Sequence, residues 1–148
     1  MRVSVGSDHR GHNVKSKVIQ LLATAGHEVL DEGTDSTQSV DYPDFGSAVA
    51  NKVSNGQVDR GILICGTGIG MAITANKFPK VRAATCHDEI TAEMSRRHND
   101  VNVLCLSADM LGERNIENLV RVWLETEFEG GRHARRLEKI ATLEGREK

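Results

Sequence analysis

One thiol in this sequence stands where it can do chemistry. Cys65 closes the apolar run Gly61-Ile62-Leu63-Ile64 and heads the segment Gly66-Thr67-Gly68-Ile69-Gly70. Such a run, bounded by glycine, reads as a strand buried on both faces. The small residues after it let backbone N–H groups approach a ligand, and the helix N-terminus that follows favours negative charge. A thiol beside those donors is expected to ionise more readily, which suits it to act as a base or a nucleophile. The G-x-G-x-G spacing is neither the dinucleotide fingerprint nor a P-loop, which would need Lys-Ser/Thr after it. Taken alone, the segment also reads as a tight strand-to-helix turn with a core cysteine. Cys105 sits inside a strand and is read as inert core; Cys86 ends a strand and is read as a wall of the same crevice.

Two further groups bear on the same chemistry. Asp8-His9 follows the first apolar run, and Cys86-His87-Asp88 follows a later one. Arg132 and Arg136 stand at i and i+4, so they share one helix face and can close on one anion, while His133 and Arg135 point elsewhere. Each has a plainer alternative: a turn or cap carboxylate for Asp8, a solvated face for the arginines. Formal net charge is −2, with no long basic run to follow a nucleic-acid backbone, so an anionic ligand needs a local cluster of this kind.

These residues have to be positioned by alternating strands and helices. Arg2–Gly6 reads as a strand, Val14, Val18, Leu21, Leu22 and Ala25 recur at helical spacing, and Glu28–Asp31 gives a second strand. Asp41-Tyr42-Pro43 opens the next helix, with Asp41 as its cap. After the strand ending at Cys65 come a helix over Met71–Lys77, a strand over Val81–Cys86 and a helix from His87-Asp88 to about Arg97. A strand over Val101–Leu106, a helix over roughly Gly112–Glu127 and a last helix after Gly130-Gly131 complete the chain. The order predicts an α/β fold: a three-layer α/β/α sandwich, Rossmann-like, on a five-stranded parallel sheet. The 148 residues suit a single domain, and 3% aromatics leave the core to Val, Ile, Leu and Ala. The last helix, about residues 131–145, is expected to pack at a subunit interface. Met1–Gly6 is too short an apolar run for a signal peptide, and no membrane-length apolar run follows. With three dispersed cysteines that form neither a disulfide framework nor zinc spacing, a cytoplasmic location is expected.

Open parallel sheets bind ligands at the carboxyl ends of their strands, which selects Asp8-His9, Cys65–Gly70 and Cys86–Asp88. Gly6–His9, Asp41-Tyr42-Pro43, Gly61–Gly70, Ala75-Asn76-Lys77, Arg96–Asp100 and Phe128–His133 together resemble, in order, the type B ribose-5-phosphate isomerases. That family also includes galactose-6-phosphate and allose-6-phosphate isomerases. The resemblance covers nearly the whole chain. It implies interconversion of ribose 5-phosphate and ribulose 5-phosphate in the pentose phosphate pathway, without metal or organic cofactor. It implies Cys65 as the base, with Thr67 and the backbone amides of Gly66, Gly68, Ile69 and Gly70 around the developing oxyanion. His98 is implied as the ring-opening acid, Asn99 and Asp8 as substrate contacts, and His9, Arg132 and Arg136 as the phosphate site. Without the resemblance, His98 reads as a solvated helix-end histidine.

One geometric expectation follows from the chain path. The helix after Cys86 runs back from the carboxyl edge, so His98 and Asn99 end beside the start of the fifth strand, on the wrong edge for Cys65 of the same chain. They are expected to complete the site of a neighbouring subunit in a homodimer or a tetramer, with no nucleic-acid or membrane partner. One departure from the family is Asp109, where many members carry an arginine that grips substrate; Arg114, further on, is a candidate substitute. The rival readings are an isomerase of another sugar phosphate (allose, galactose or tetrose) and, from a different class, a nucleotide-binding module with Asp88 about 20 residues beyond the glycine loop.

Overall fold

The computed structural model describes residues 1–144. Five strands alternate with helices: β1 (Arg2–Ser7), α1 (His12–Thr24), β2 (Glu28–Asp31), α2 (Tyr42–Ser54), β3 (Arg60–Cys65), α3 (Ile69–Ala75), β4 (Ala83–Thr85), α4 (Glu89–Asn99), β5 (Val103–Ser107), α5 (Glu113–Glu125) and α6 (Arg132–Ala141). All pairings are parallel, in the order β2-β1-β3-β5-β4. The expected α/β architecture is therefore present. The expected last helix begins at Arg132, and residue 145, its far end, lies outside the described residues.

The period-2 alternation of the central strands divides the core. Val3, Val5, Ile62, Ile64, Leu104 and Leu106 face α1, α4 and α5, where Trp123 is fully buried. Leu63, Cys65, Val103 and Cys105 face α2 and α3. Strands covered on both faces lose almost all their apolar surface to water, at about 25 cal/mol per Å². The chain leaves β1 toward β2 on one side and continues from β3 toward β5 and β4 on the other. The order thus reverses between β1 and β3, and the loops following them diverge to open a crevice. Asp8 and Cys65 stand at its two lips.

Three local expectations are corrected. β4 spans Ala83–Thr85 rather than Val81–Cys86, and on its open edge the Asn76 side chain takes the place of a further strand. It donates to the Ala83 carbonyl and accepts from the Ala83 N–H, both at 2.9 Å. That leaves a short, blunted sheet edge. Asp41 occupies the N-cap position of α2, yet its side chain makes no capping bond. Helix α4 runs to Asn99, capped at its start by Asp88, which accepts the Thr91 N–H at 2.7 Å. No helix among the described residues is long and apolar enough to cross a membrane.

Candidate active site

At the carboxyl edge a cleft is lined by Asp8, Arg10, Tyr42, Cys65, Gly66, Thr67, Ile69, Gly70, Ile73 and Asp109. Cys65 is the last residue of β3 and only 5% exposed. Its Sγ accepts the Gly68 N–H at 3.2 Å. The loop bends back this way because Gly68 adopts φ +78°, the left-handed conformation that opens α3. A Cβ there would lie 3.0 Å from Thr85 Cγ2 and 3.1 Å from the Leu106 backbone. Gly68→Ala is therefore expected to destabilise the fold by about 1–3 kcal/mol and to lower kcat as the sulfur loses its donor. Thermal unfolding and steady-state kinetics on the one variant check both effects.

The rest of the loop is pinned from β5. Ser107 Oγ donates to the Gly66 carbonyl at 2.7 Å and accepts the Met110 N–H at 3.0 Å. Thr67 is exposed, and its Oγ1 accepts the Ile69 N–H at 3.3 Å. The amides of Thr67 and Gly70 donate to no acceptor among the described residues, so they remain free for a ligand.

The turn after β1 supplies the facing lip. Asp8 is buried, and its Oδ1 accepts the N–H groups of Arg10 and Gly11 at 3.0 and 3.1 Å, so it is a turn carboxylate as well as a cleft residue. His9 Nδ1 accepts the Val40 N–H at 3.2 Å, which leaves the ring proton on Nε2 as a donor. Arg10 donates through Nε and Nη2 to Asp109 Oδ2 at 2.9 and 2.6 Å, and this pair raises the guanidinium pKa further. Arg114 is exposed at the first turn of α5 and is not among the cleft residues.

His98, Asn99, Arg132 and Arg136 are not in this cleft. Arg82 Nε donates to the Asn99 carbonyl at 3.1 Å, which fixes the end of α4 beside the entry to β4. Here α4 meets α6. The His98 and His133 rings stack with centroids 4.2 Å apart and planes 7° from parallel. Arg97 Nε donates to Glu129 Oε1 at 2.6 Å, and this bond holds the Glu129 carboxyl below its ordinary range. Glu129 Oε2 stands 3.4 Å from His133 Nε2 and 4.0 Å from His98 Nε2. Burial, and then the neighbouring His98, push the His133 pKa down. The ligand atoms of His98, Glu129 and His133 lie within 4.8 Å of one another. A metal ion there would sit between two parallel ring planes, off both lone-pair directions, with the carboxylate already held by Arg97. Arg132 and Arg136 are exposed on the same helix as buried His133.

The structure thus gathers Asp8, Cys65, Gly66, Thr67, Ile69 and Gly70, with His9 in the adjoining turn, and sets the α4–α6 residues apart. Cys86 is no wall of the crevice. Strand alternation puts Cys86 on the face of Ala84, and its side chain, 2% exposed, lies in the core layer that holds Ala92, where burial pushes its pKa up. Cys105 is fully buried, with its pKa driven well up by desolvation. Sequence reasoning missed Arg10, Tyr42, Ser107 and the His133–Glu129–Arg97 group as parts of functional clusters. Tyr42 entered as a helix start and within one segment of the resemblance, without a role, yet its ring lies so near Gly70 that a Cβ there would come within 2.6 Å of Cζ.

Residues 3–140 match the family described as Ribose/Galactose Isomerase. Ribose-5-phosphate isomerase B of Escherichia coli (strain K12) is 43% identical over 145 residues, 98% of this chain and 97% of that protein. D-erythrulose-4-phosphate isomerase of Pectobacterium atrosepticum is 38% identical over 149 residues, covering 100% of this chain and 98% of that one. The structure of ribose-5-phosphate isomerase B from Clostridium thermocellum superposes with a TM-score of 0.96 at 49% identity, covering 97% of each chain.

Proposed function

The chain belongs to the ribose/galactose isomerase family, and from that premise we propose that it interconverts ribose 5-phosphate and ribulose 5-phosphate. The observation that carries this reading is the Cys65 sulfur, held by the Gly68 amide at the floor of the carboxyl-edge cleft. As thiolate it removes the proton from C2 of the open-chain aldose. The electron pair moves into the C1–C2 bond and charge develops on O1, a proton passes from the O2 hydroxyl to O1, and the same sulfur returns the first proton to C1 as O2 becomes the ketone oxygen. The Thr67 hydroxyl and the free amides of Thr67 and Gly70 receive the oxyanion, while those of Gly68 and Ile69 are taken by the Cys65 sulfur and Thr67 Oγ1; each free donor is worth about 3 kcal/mol in such sites. Asp8 holds sugar hydroxyls.

Ring opening needs an acid that this cleft does not itself contain. His98 and Asn99 are assigned to the cleft of a second copy, across an interface that includes α6. Because Arg132 and Arg136 sit beside His98 on the α4–α6 side, they travel with it and close on the phosphate opposite His9 Nε2–H. Arg136→Ala is then expected to raise KM about tenfold to a hundredfold with kcat little changed, the loss of one charge-assisted contact worth about 1.5–3 kcal/mol. An unchanged KM would move the phosphate elsewhere.

A tetrose or hexose phosphate is the second reading, favoured by the likeness to a protein named D-erythrulose-4-phosphate isomerase. The two share the proton transfer and differ in chain length. Comparative kcat/KM on ribose 5-phosphate, erythrulose 4-phosphate, allose 6-phosphate and galactose 6-phosphate decides between them. No turnover of any of these would end the isomerase reading.

A further inference from the structure

The cleft contains an ion pair that the proton transfer does not use. Arg10 comes from the turn after β1 and Asp109 from the turn after β5, so the two reach across the end of β3. They meet above Gly66: a Cβ at that glycine would lie 2.9 Å from Asp109 Oδ2 and 3.1 Å from Arg10 Nε. Both backbones are anchored. The Asp109 N–H donates to the Gly66 carbonyl at 3.2 Å, and the Arg10 N–H to Asp8 Oδ1 at 3.0 Å. With side chains 57% and 39% exposed, the pair adds little to stability.

Its chemistry is that of a paired donor and acceptor. Both bonds fall on Asp109 Oδ2, which leaves Asp109 Oδ1 and Arg10 Nη1 without a partner among the described residues. One sugar hydroxyl can donate to the first, and a neighbouring one can accept from the second. A phosphate cannot use the carboxylate and meets a guanidinium whose charge is already balanced. We propose that the Arg10–Asp109 pair is the specificity-determining wall of the cleft, reading the hydroxyl groups of an open-chain sugar phosphate and keeping its phosphate away from the sulfur. The pair rests on the isomerase reading for its ligand class, and it restricts that class to polyols whose anionic group lies at the far end from the reacting carbons.

Ribitol 5-phosphate, which has the hydroxyls but no carbonyl to isomerise, separates binding from turnover. Calorimetric titration of the full-length protein, with inorganic phosphate as the second ligand, compares the parent with Arg10→Gln, Asp109→Asn and the double variant. Each single variant is expected to bind ribitol 5-phosphate about tenfold or more weakly, and the double variant no worse than the weaker single, because the two act as one unit. Asp109→Asn is expected to bind inorganic phosphate more tightly, since Arg10 is then unbalanced. Single variants that bind ribitol 5-phosphate within about twofold of the parent would overturn the proposal. So would equal losses for both ligands, or a parent that prefers inorganic phosphate. Turnover of ribose 5-phosphate by the parent reports on the isomerase reading separately.

Discussion

Replacing Cys65 with alanine is expected to lower kcat by about 10³-fold or more while the fold survives. No other group at the cleft floor can take over. Asp8 has Oδ1 committed to two backbone N–H groups, and Asp109 is held by Arg10. Cys86 and Cys105 are buried in the core with thiol pKa values pushed up, away from any sugar. Cys65→Ser sharpens the test. The hydroxyl keeps the shape and the Gly68 contact, but an alcohol gives up its proton far less readily than a thiol, so serine should be nearly as inactive as alanine. Stability changes little, because only one sulfur leaves the core layer, at a cost of about 1 kcal/mol. The measurements are kcat by a coupled isomerase assay and thermal unfolding on the same preparations. Near-normal turnover in Cys65→Ala would remove the thiolate from the mechanism.

The path from sequence to site was readable where local rules act alone. Apolar runs ending in glycine gave β1 and β3, and the carboxyl-end rule then placed Asp8 and Cys65 at one crevice before any contact was known. The direction of α4, which returns its last turn to the entry of β4, followed from the same alternation. Long-range pairing is what the sequence hid. Arg10 and Asp109 are 99 residues apart, and nothing in either neighbourhood announces the other. Tyr42 matters through the absence of a Cβ at Gly70, which is a fact about packing and not about either residue's type. Cys86 misled because being last in a strand does not aim a side chain at the crevice: alternation puts it on the face of Ala84, in the core layer of α4. His133 looked like part of a charged stretch, but α6 turns it inward onto His98, where it is 5% exposed.

The separation of the two residue groups makes the assembly testable by mixing. Cys65→Ala lacks the base but keeps an intact α4–α6 cluster; His98→Gln has the reverse defect. Each alone is expected to be nearly inactive, the second by about 10²-fold or more through the loss of the ring-opening acid. Unfolding the two together and refolding the mixture gives random pairing. Half of the dimers are then mixed, and each mixed dimer has one site with both defects and one with neither. Activity is therefore expected to return to about a quarter of the parent value, although every chain in the tube is defective. If His98 instead served the cleft of its own chain, both sites of a mixed dimer would stay broken and the mixture would be as inactive as its components. The position of Asn99 beside Arg82, at the start of β4, argues for recovery. In one chain the sheet itself stands between that position and the Cys65 sulfur, whereas a two-fold partner can present its α4 terminus to the open edge.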